Sequence, residues 1–358
     1  MTPHGRHWKT RTLALGAMFA AGALLSHGVN RATPEAPAAE PTTITASAAE
    51  PVATFSIVGF DPETGDLGIA VQSKFFAVGA VVPWARARVG AVATQSHANT
   101  AYGPDGLALL SDGETAADVV ARLTENDDGR SLRQLGIVDA TGRAASFTGD
   151  ACLPWAGGKT GEYYAAQGNI LAGPEVVDAM ASTFESTSGD LGTRLVAALA
   201  AGQAAGGDAR GRQSAALLVV REGGGYGGFN DRYIDVRVDD HPTPIRELQR
   251  LLGLRRAQMT SADAGRYLRA GEHDLALESA RRTTTLSPND GNAWLLLARV
   301  HVARGETPEA GQAGREALIQ DPWLKTAALR GLIDKALIER LLGIDSFAQL
   351  WESIEADS

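Results

Sequence analysis

The chain has 358 residues, a formal net charge of −9 and a single cysteine, Cys152. One cysteine excludes an intrachain disulfide, so stability must come from ordinary apolar cores. No basic cluster follows the N-terminal flank. This argues against a nucleic-acid partner, because phosphate neutralisation needs clustered Lys and Arg.

The flank carries His4, Arg6, His7, Lys9 and Arg11, and an apolar run over 13–25 follows. That order predicts a secretory signal over residues 1–28, with Ser26-His27-Gly28 as a small-x-small cleavage site. The run is shorter than the roughly 20 residues that cross a bilayer, so no stable membrane span is expected in the mature chain. Residues 29–52 are rich in Ala, Pro, Thr and Glu without periodicity and are expected to form a disordered tether. The expected destination is the periplasm or the cell exterior. About 300 residues remain, enough for two domains.

From residue 54 short apolar strands alternate with Gly-rich turns. Strands are predicted over 54–59, 67–73, 78–82 and 87–94, with an Asp61–Asp66 turn between the first two. A helix follows over 115–123, with Thr115 as its cap, and then strands over 134–139 and 144–148. Helices are predicted over 174–184, with Pro174 in the first turn, and over 191–204. The last strands, 214–220 and 233–238, bracket Gly223-Gly224-Gly225-Tyr226-Gly227-Gly228. These glycines lack the following Lys-Ser/Thr of a phosphate cradle and predict a long hairpin loop. A helix over 242–253 closes this part. Strands, helices and strands in this order fit two stacked sheets with helices outside them.

After about residue 256 the composition changes to Ala- and Leu-rich helix. Gly271 and Gly305, Ala276 and Ala310, and Pro288 and Pro322 are each 34 residues apart. With Tyr267, Trp294, Leu297, Ala298 and Ala317 the segment resembles tetratricopeptide repeats over 257–324, capped by a Leu-rich stretch to 350. Stacked helix pairs offer a concave surface for a protein partner or for self-association.

The candidate chemistry starts at Thr54. A threonine exposed at a new N-terminus can attack a carbonyl, with its own α-amine as base. The other reading is an ordinary strand threonine, favoured by its β-branch. Ser56 shares the face of Thr54 and would shape the pocket. Lys74 lies beyond one hairpin and would place an ammonium near the nucleophile; a solvated surface lysine is the other reading. Ser96 and Asn99 follow a buried-looking strand, where sites are commonly assembled. Asn169 is an oxyanion donor or a turn asparagine. Arg212 would hold a substrate carboxylate in a bidentate fork. His97, His241 and Cys152 show no metal-ligand spacing, so neither metal nor cofactor is expected from local motifs, and a metal held by distant Asp, Glu and His has no local signature to read.

Many short stretches also resemble, in order, one domain-of-unknown-function family that is classed by structure with the N-terminal nucleophile (Ntn) hydrolases. They include Thr54–Val58, Gln72–Gly79, Val82–Ala85, Ala93–Ser96, Tyr102–Gly106, Gln167–Asn169, Gly211–Ala216 and Phe229–Tyr233. The resemblance covers about 53–253. It implies an α+β fold, the four-layer αββα Ntn-hydrolase-like sandwich, here followed by an all-helical repeat domain. It also implies an amidohydrolase acting on a small amide or peptide-like substrate through an acyl-enzyme. Many members resembling this chain have Met just before the threonine, whereas here Ala53 and the tether stand there, so the Ala53–Thr54 bond would have to be cut. The alternative is a binding or scaffold protein that keeps the fold without the reaction.

Overall fold

The computed structural model describes residues 54–324. The expected signal, tether and final helical stretch (325–350) lie outside the described residues.

Two antiparallel sheets form the first part. The larger has the order β10-β9-β2-β1-β8-β7. Its strands are β1 (Thr54–Phe60), β2 (Leu67–Ser73), β7 (Gly157–Gly161), β8 (Tyr164–Gly168), β9 (Ser214–Val220) and β10 (Arg232–Val238). The smaller has the order β3-β4-β5-β6, from β3 (Pro83–Arg86), β4 (Gly90–Ser96), β5 (Arg133–Asp139) and β6 (Ala144–Thr148). Helices α1 (Tyr102–Ser111) and α2 (Ala116–Glu125) separate β4 from β5, and α3 (Glu175–Ser186) and α4 (Leu191–Ala204) separate β8 from β9. Among the described residues no helix is long and apolar enough to cross a membrane.

The period of two in each strand sorts its side chains between cores. In β1, Phe55 and Ile57 join Phe184, Leu195 and Leu199 beneath α3 and α4. Val58 faces the other way and meets Ala91, Ala93 and Val138 of the smaller sheet. The far face of that sheet, with Val92, Leu135 and Ile137, is covered by Leu107, Leu110, Val119 and Leu123 of α1 and α2. Both faces of β1, β2 and β9 are therefore buried, which is why these strands are almost continuously apolar. Each large side chain fully buried in these cores contributes about 2 kcal/mol.

Several local expectations change. Residues 78–82 do not form a strand; Val78–Ala80 is a 3-10 turn, and the strand begins at Pro83, where the missing N–H suits an edge position. The hairpin β7–β8 falls in a stretch too rich in Gly and Ala to show alternation. Asp66 is more than a turn residue: it is buried and forms a two-point ion pair with Arg221, both bonds 2.7 Å. Thr115 does cap α2, accepting from the Asp118 amide.

The helix expected over 242–253 is α5 (Pro244–Ala270), which runs on through the composition change near 256. Ile245, Leu248 and Leu252 pack in the core under the larger sheet. Ala264, further along the same helix, packs with α6 (His273–Leu286), α7 (Gly291–Arg304) and α8 (Thr307–Gln320). Alanines dominate this second core, with Ala264, Ala276, Ala280, Ala298, Ala310 and Ala313 letting the helices approach closely. The 34-residue spacing has a structural cause at Gly271 and Gly305. Both sit at φ 77° just past a helix end and donate to carbonyls of the last turn. A side chain at either would be strained in this left-handed conformation.

Two outcomes are expected. Gly136 of β5 faces β8, and a Cβ there would lie 2.1 Å from Gln167 Oε1. Gly136→Ala should cost about 1–3 kcal/mol in denaturant unfolding by displacing that amide. Limited chymotrypsin digestion should cut first in the loop carrying Tyr226 and Phe229, which are 85% and 89% exposed. Residues 253–262 should resist, because they are helical.

Candidate active site

Thr54 stands first in β1 among the described residues and is completely buried. Its Oγ1 donates to Ser73 Oγ at 3.1 Å, across the β1–β2 ladder where the two residues are paired. Its carbonyl accepts from the Asn169 amide at 3.0 Å and from Gln95 Nε2 at 3.3 Å. Thr54 is thus held by three neighbouring strand ends.

Gln95 belongs to β4 of the smaller sheet and reaches across to the larger one. Its Oε1 accepts from Ser56 Oγ at 2.6 Å, and its Nε2 donates to Gln134 Oε1 at 2.8 Å. Gln134, opposite Gln95 in the β4–β5 register, donates to the Gly168 carbonyl at 2.7 Å and accepts from Asn169 Nδ2 at 2.9 Å. Gln167 Nε2 donates to Ser56 Oγ at 2.7 Å. Ser56, Gln95, Gln134, Gln167 and Asn169 are all at most 1% exposed. Each bond of this kind is worth about 1 kcal/mol net, but an unmet partner would cost about 1–3 kcal/mol. Gln167 Oε1 and Asn169 Oδ1 do lack partners, as do both amide atoms of Gln72. Every side chain in this network is neutral, so none of them supplies a base for the Thr54 hydroxyl.

The sequence-predicted residues divide. Thr54, Ser56 and Asn169 come together here. Asn169 spends its amide donor on Gln134, and its backbone N–H, not its side chain, touches Thr54. Lys74 directly follows Ser73, yet its side chain is exposed; its backbone N–H is fixed by Asp208 Oδ2 at 3.0 Å. Ser96 ends β4 at φ 66°, rare for a residue with a side chain, and Cys152 Sγ donates to the Arg133 carbonyl at 3.4 Å. Burial pushes the Cys152 thiol pKa up. Arg212 is exposed and lines a cavity beside α4 and α5.

Asn99 belongs to a different cluster, centred on Asp127. Asp127 accepts from Arg133 Nε at 2.8 Å, Tyr102 Oη at 2.7 Å, Asn99 Nδ2 at 3.1 Å and the Gly129 amide at 2.7 Å. The Arg133 bond is the main cause that holds the Asp127 carboxyl well below its usual range. Burial, then the bond to Asp127, raises the Tyr102 phenol. Arg133 also donates to the His97 carbonyl at 2.6 Å, so the cluster fixes the turn that leaves β4. Among the described residues no group of three or more His, Cys, Asp or Glu is placed to hold a metal.

Ser73, Gln95, Gln134 and Gln167 carry no sequence-assigned role, although a signal exists. Each is a polar residue at or next to the end of a strand whose middle residues are apolar on both faces. An amide in such a place needs a partner from another strand.

An α+β protein with two stacked antiparallel sheets, and a buried neutral network at one end of both, is the class that this geometry defines. The family of unknown function DUF1028 matches residues 54–248, and the chain belongs to it. The crystal structure of protein SPO2555 from Silicibacter pomeroyi, assigned to the same family, is similar at 35% sequence identity and a TM-score of 0.51. The likeness covers 56% of this chain and 88% of that one. No curated protein matches the chain.

The Asp127 cluster yields a pH prediction. A carboxyl with a depressed folded-state pKa stabilises fully above its unfolded value of about 4 and loses that contribution as pH falls below it. Asp127→Asn should therefore destabilise the protein by about 1–3 kcal/mol at pH 7. The gap to the parent protein should narrow below about pH 4. Thermal melts of both proteins from pH 7 to pH 2.5 check this.

Proposed function

We propose that the chain is an exported Ntn-type amidohydrolase, with Thr54 as nucleophile once the Ala53–Thr54 bond is cut. The observation that carries this reading is the place of Thr54: first among the described residues of β1, near the middle of the larger sheet, at the residue where the family match begins. The sandwich of helices, two sheets and helices supports the Ntn-hydrolase-like assignment of the fold. The neutrality of the surrounding network supports the mechanism. With no ionisable side chain among Ser56, Ser73, Gln95, Gln134, Gln167 and Asn169, the freed α-amine of Thr54 is the base that the site needs.

In this mechanism Thr54 Oγ attacks the amide carbonyl while its proton passes to the α-amine. The tetrahedral adduct collapses as the amine product leaves with that proton. Water then hydrolyses the ester on Thr54 and restores the hydroxyl. Asn169 holds the Thr54 carbonyl through its backbone, and Ser73 orients the hydroxyl. Lys74, exposed beside Ser73, serves the approach of substrate rather than the reacting atoms. The substrate class is a small amide or a peptide-like amide, met in the periplasm or outside the cell.

A second reading, a binding or scaffold protein, draws on one specific observation: Thr54 is fully buried and its hydroxyl already bonds Ser73. In that reading the tetratricopeptide-like hairpins α5–α8 recruit a protein partner or a second copy.

N-terminal sequencing of the mature protein from its native host, followed by incubation with an amide library, separates the two. The hydrolase reading expects a chain that starts at Thr54 and turns over at least one amide. Thr54→Ala should fold, with a loss of about 1 kcal/mol from the Ser73 bond. It should also lose turnover at least a hundredfold. An active preparation whose chain begins well upstream of Thr54 would sink the mechanism.

A further inference from the structure

The Gly-rich loop between β9 and β10 is tied down by its own hydrogen bonds. The Gly225 amide donates to the Asn230 carbonyl at 2.8 Å, the Gly223 amide to Asp231 Oδ1 at 3.0 Å, and the Arg232 amide to Asn230 Oδ1 at 2.9 Å. A Cβ on Gly225 would lie 1.9 Å from that same Asn230 oxygen, so a side chain there would displace it. This frame holds Tyr226 and Phe229 out in solvent, at 85% and 89% exposure. Both rings forgo the burial that an aromatic side chain ordinarily brings.

Tyr226 lines a cleft of about 720 Å³ between the edge strand β10, the middle of α5 and the turn from α6 to α7. That volume lies within the roughly 300–1,000 Å³ of ligand pockets. Three planar groups of its lining are each oriented by the protein through one atom. Asn230 spends Oδ1 on the Arg232 amide, Gln258 spends Oε1 on Arg255 Nη1 at 2.9 Å, and Asp290 spends Oδ1 on the Asn292 amide at 2.9 Å. Asn230 Nδ2, Gln258 Nε2 and Asp290 Oδ2 have no partner among the described residues. Two donors and one acceptor are thus oriented in advance, and the lining hydroxyls of Ser261 and Ser287 can act as either.

Charge and backbone narrow the occupant. Arg232 and Arg255 stand against Asp235 and Asp290 in the lining, two cations to two anions, so the cleft is neutral as a whole. A nucleotide or an acidic peptide would find no net attraction there. An extended peptide would need the main chain of β10 for strand addition, but Arg255 covers the Tyr233 carbonyl on that strand with bonds of 3.0 and 2.8 Å. What fits is a neutral molecule with several hydroxyls and a C–H face that stacks on an aromatic ring. We propose that the cleft binds a neutral saccharide, with Tyr226 against one face of a sugar ring and Asn230, Gln258 and Asp290 bonded to its hydroxyls. The site lies three strands from β1 and does not depend on the chemistry at Thr54.

Calorimetric titration of the full chain with maltotriose, cellotriose and N-acetylchitotriose tests it. Saturable one-site binding of at least one sugar is expected, and the bound sugar should slow chymotrypsin cleavage after Tyr226. Tyr226→Ala should weaken that binding about fivefold, whereas Tyr226→Trp should keep it, because stacking survives. Gln258→Ala should also weaken it about fivefold, as loss of one hydrogen bond does. Both side chains are exposed, so circular dichroism should show unchanged folding. No saturable binding of any of the three sugars, or binding unchanged in the double variant Y226A/Q258A, overturns the proposal. Saturable binding of a blocked penta-threonine peptide in place of the sugars also overturns it and makes the cleft a peptide groove.

Discussion

The arrangement around Thr54 depends on one pair of amides. Gln95 and Gln134 face each other across the β4–β5 ladder and join through a 2.8 Å bond. Each then reaches from the smaller sheet to the larger: Gln95 to Ser56 and the Thr54 carbonyl, Gln134 to the Gly168 carbonyl and Asn169. Apolar side chains hold the rest of the inter-sheet layer, and those contacts tolerate small slides. Amides do not, because a bond of 2.8 Å is lost within a fraction of an ångström while the desolvation cost stays. The network therefore fixes the register between the sheets at the end where the proposed nucleophile sits.

The neutrality of that network has an electrostatic consequence. Among the side chains named in this network, a charge meets oriented dipoles and hydroxyls. Such surroundings disfavour an ammonium and lower the pKa of a buried amine. The charged side chains of this region lie further out. Asp208 and Arg210 pair with each other, Lys74 is exposed, and Arg212 and Arg246 face the cavity beside α4 and α5.

Most of the fold was legible because its signals are local. The β-branched strands, the cap at Thr115 and the two helix-ending glycines each act within a few residues. The β7–β8 hairpin was not, because Gly157-Gly158-Lys159-Thr160-Gly161 has no side-chain alternation to detect; β1 and its buried face draw it into the sheet. At the site, the position of Thr54 was legible, but its surroundings were not. Gln95 lies 41 residues from Thr54 and Gln167 lies 111 from Ser56, and sequence gives no sign that such residues meet. Asn99 was misplaced for the same reason in reverse. It is close to Ser96 in the chain, yet the left-handed turn at Ser96 sends it to Asp127.

Helix α5 serves two cores, and the family match ends at residue 248, in its second turn. The helical hairpins are therefore joined to the family domain by prolonging a helix rather than through a loop. A junction of this kind is phased. Each residue added or removed between Leu252 and Ala264 would swing the hairpins about 100° around the helix axis and shift them about 1.5 Å along it. A change between Leu252 and Arg255 would also pull Arg255 off the Tyr233 carbonyl, which it now caps at 2.8 Å on the outermost strand of the larger sheet. The length of this segment is thus set by the packing of both cores, whereas its exposed positions answer to neither.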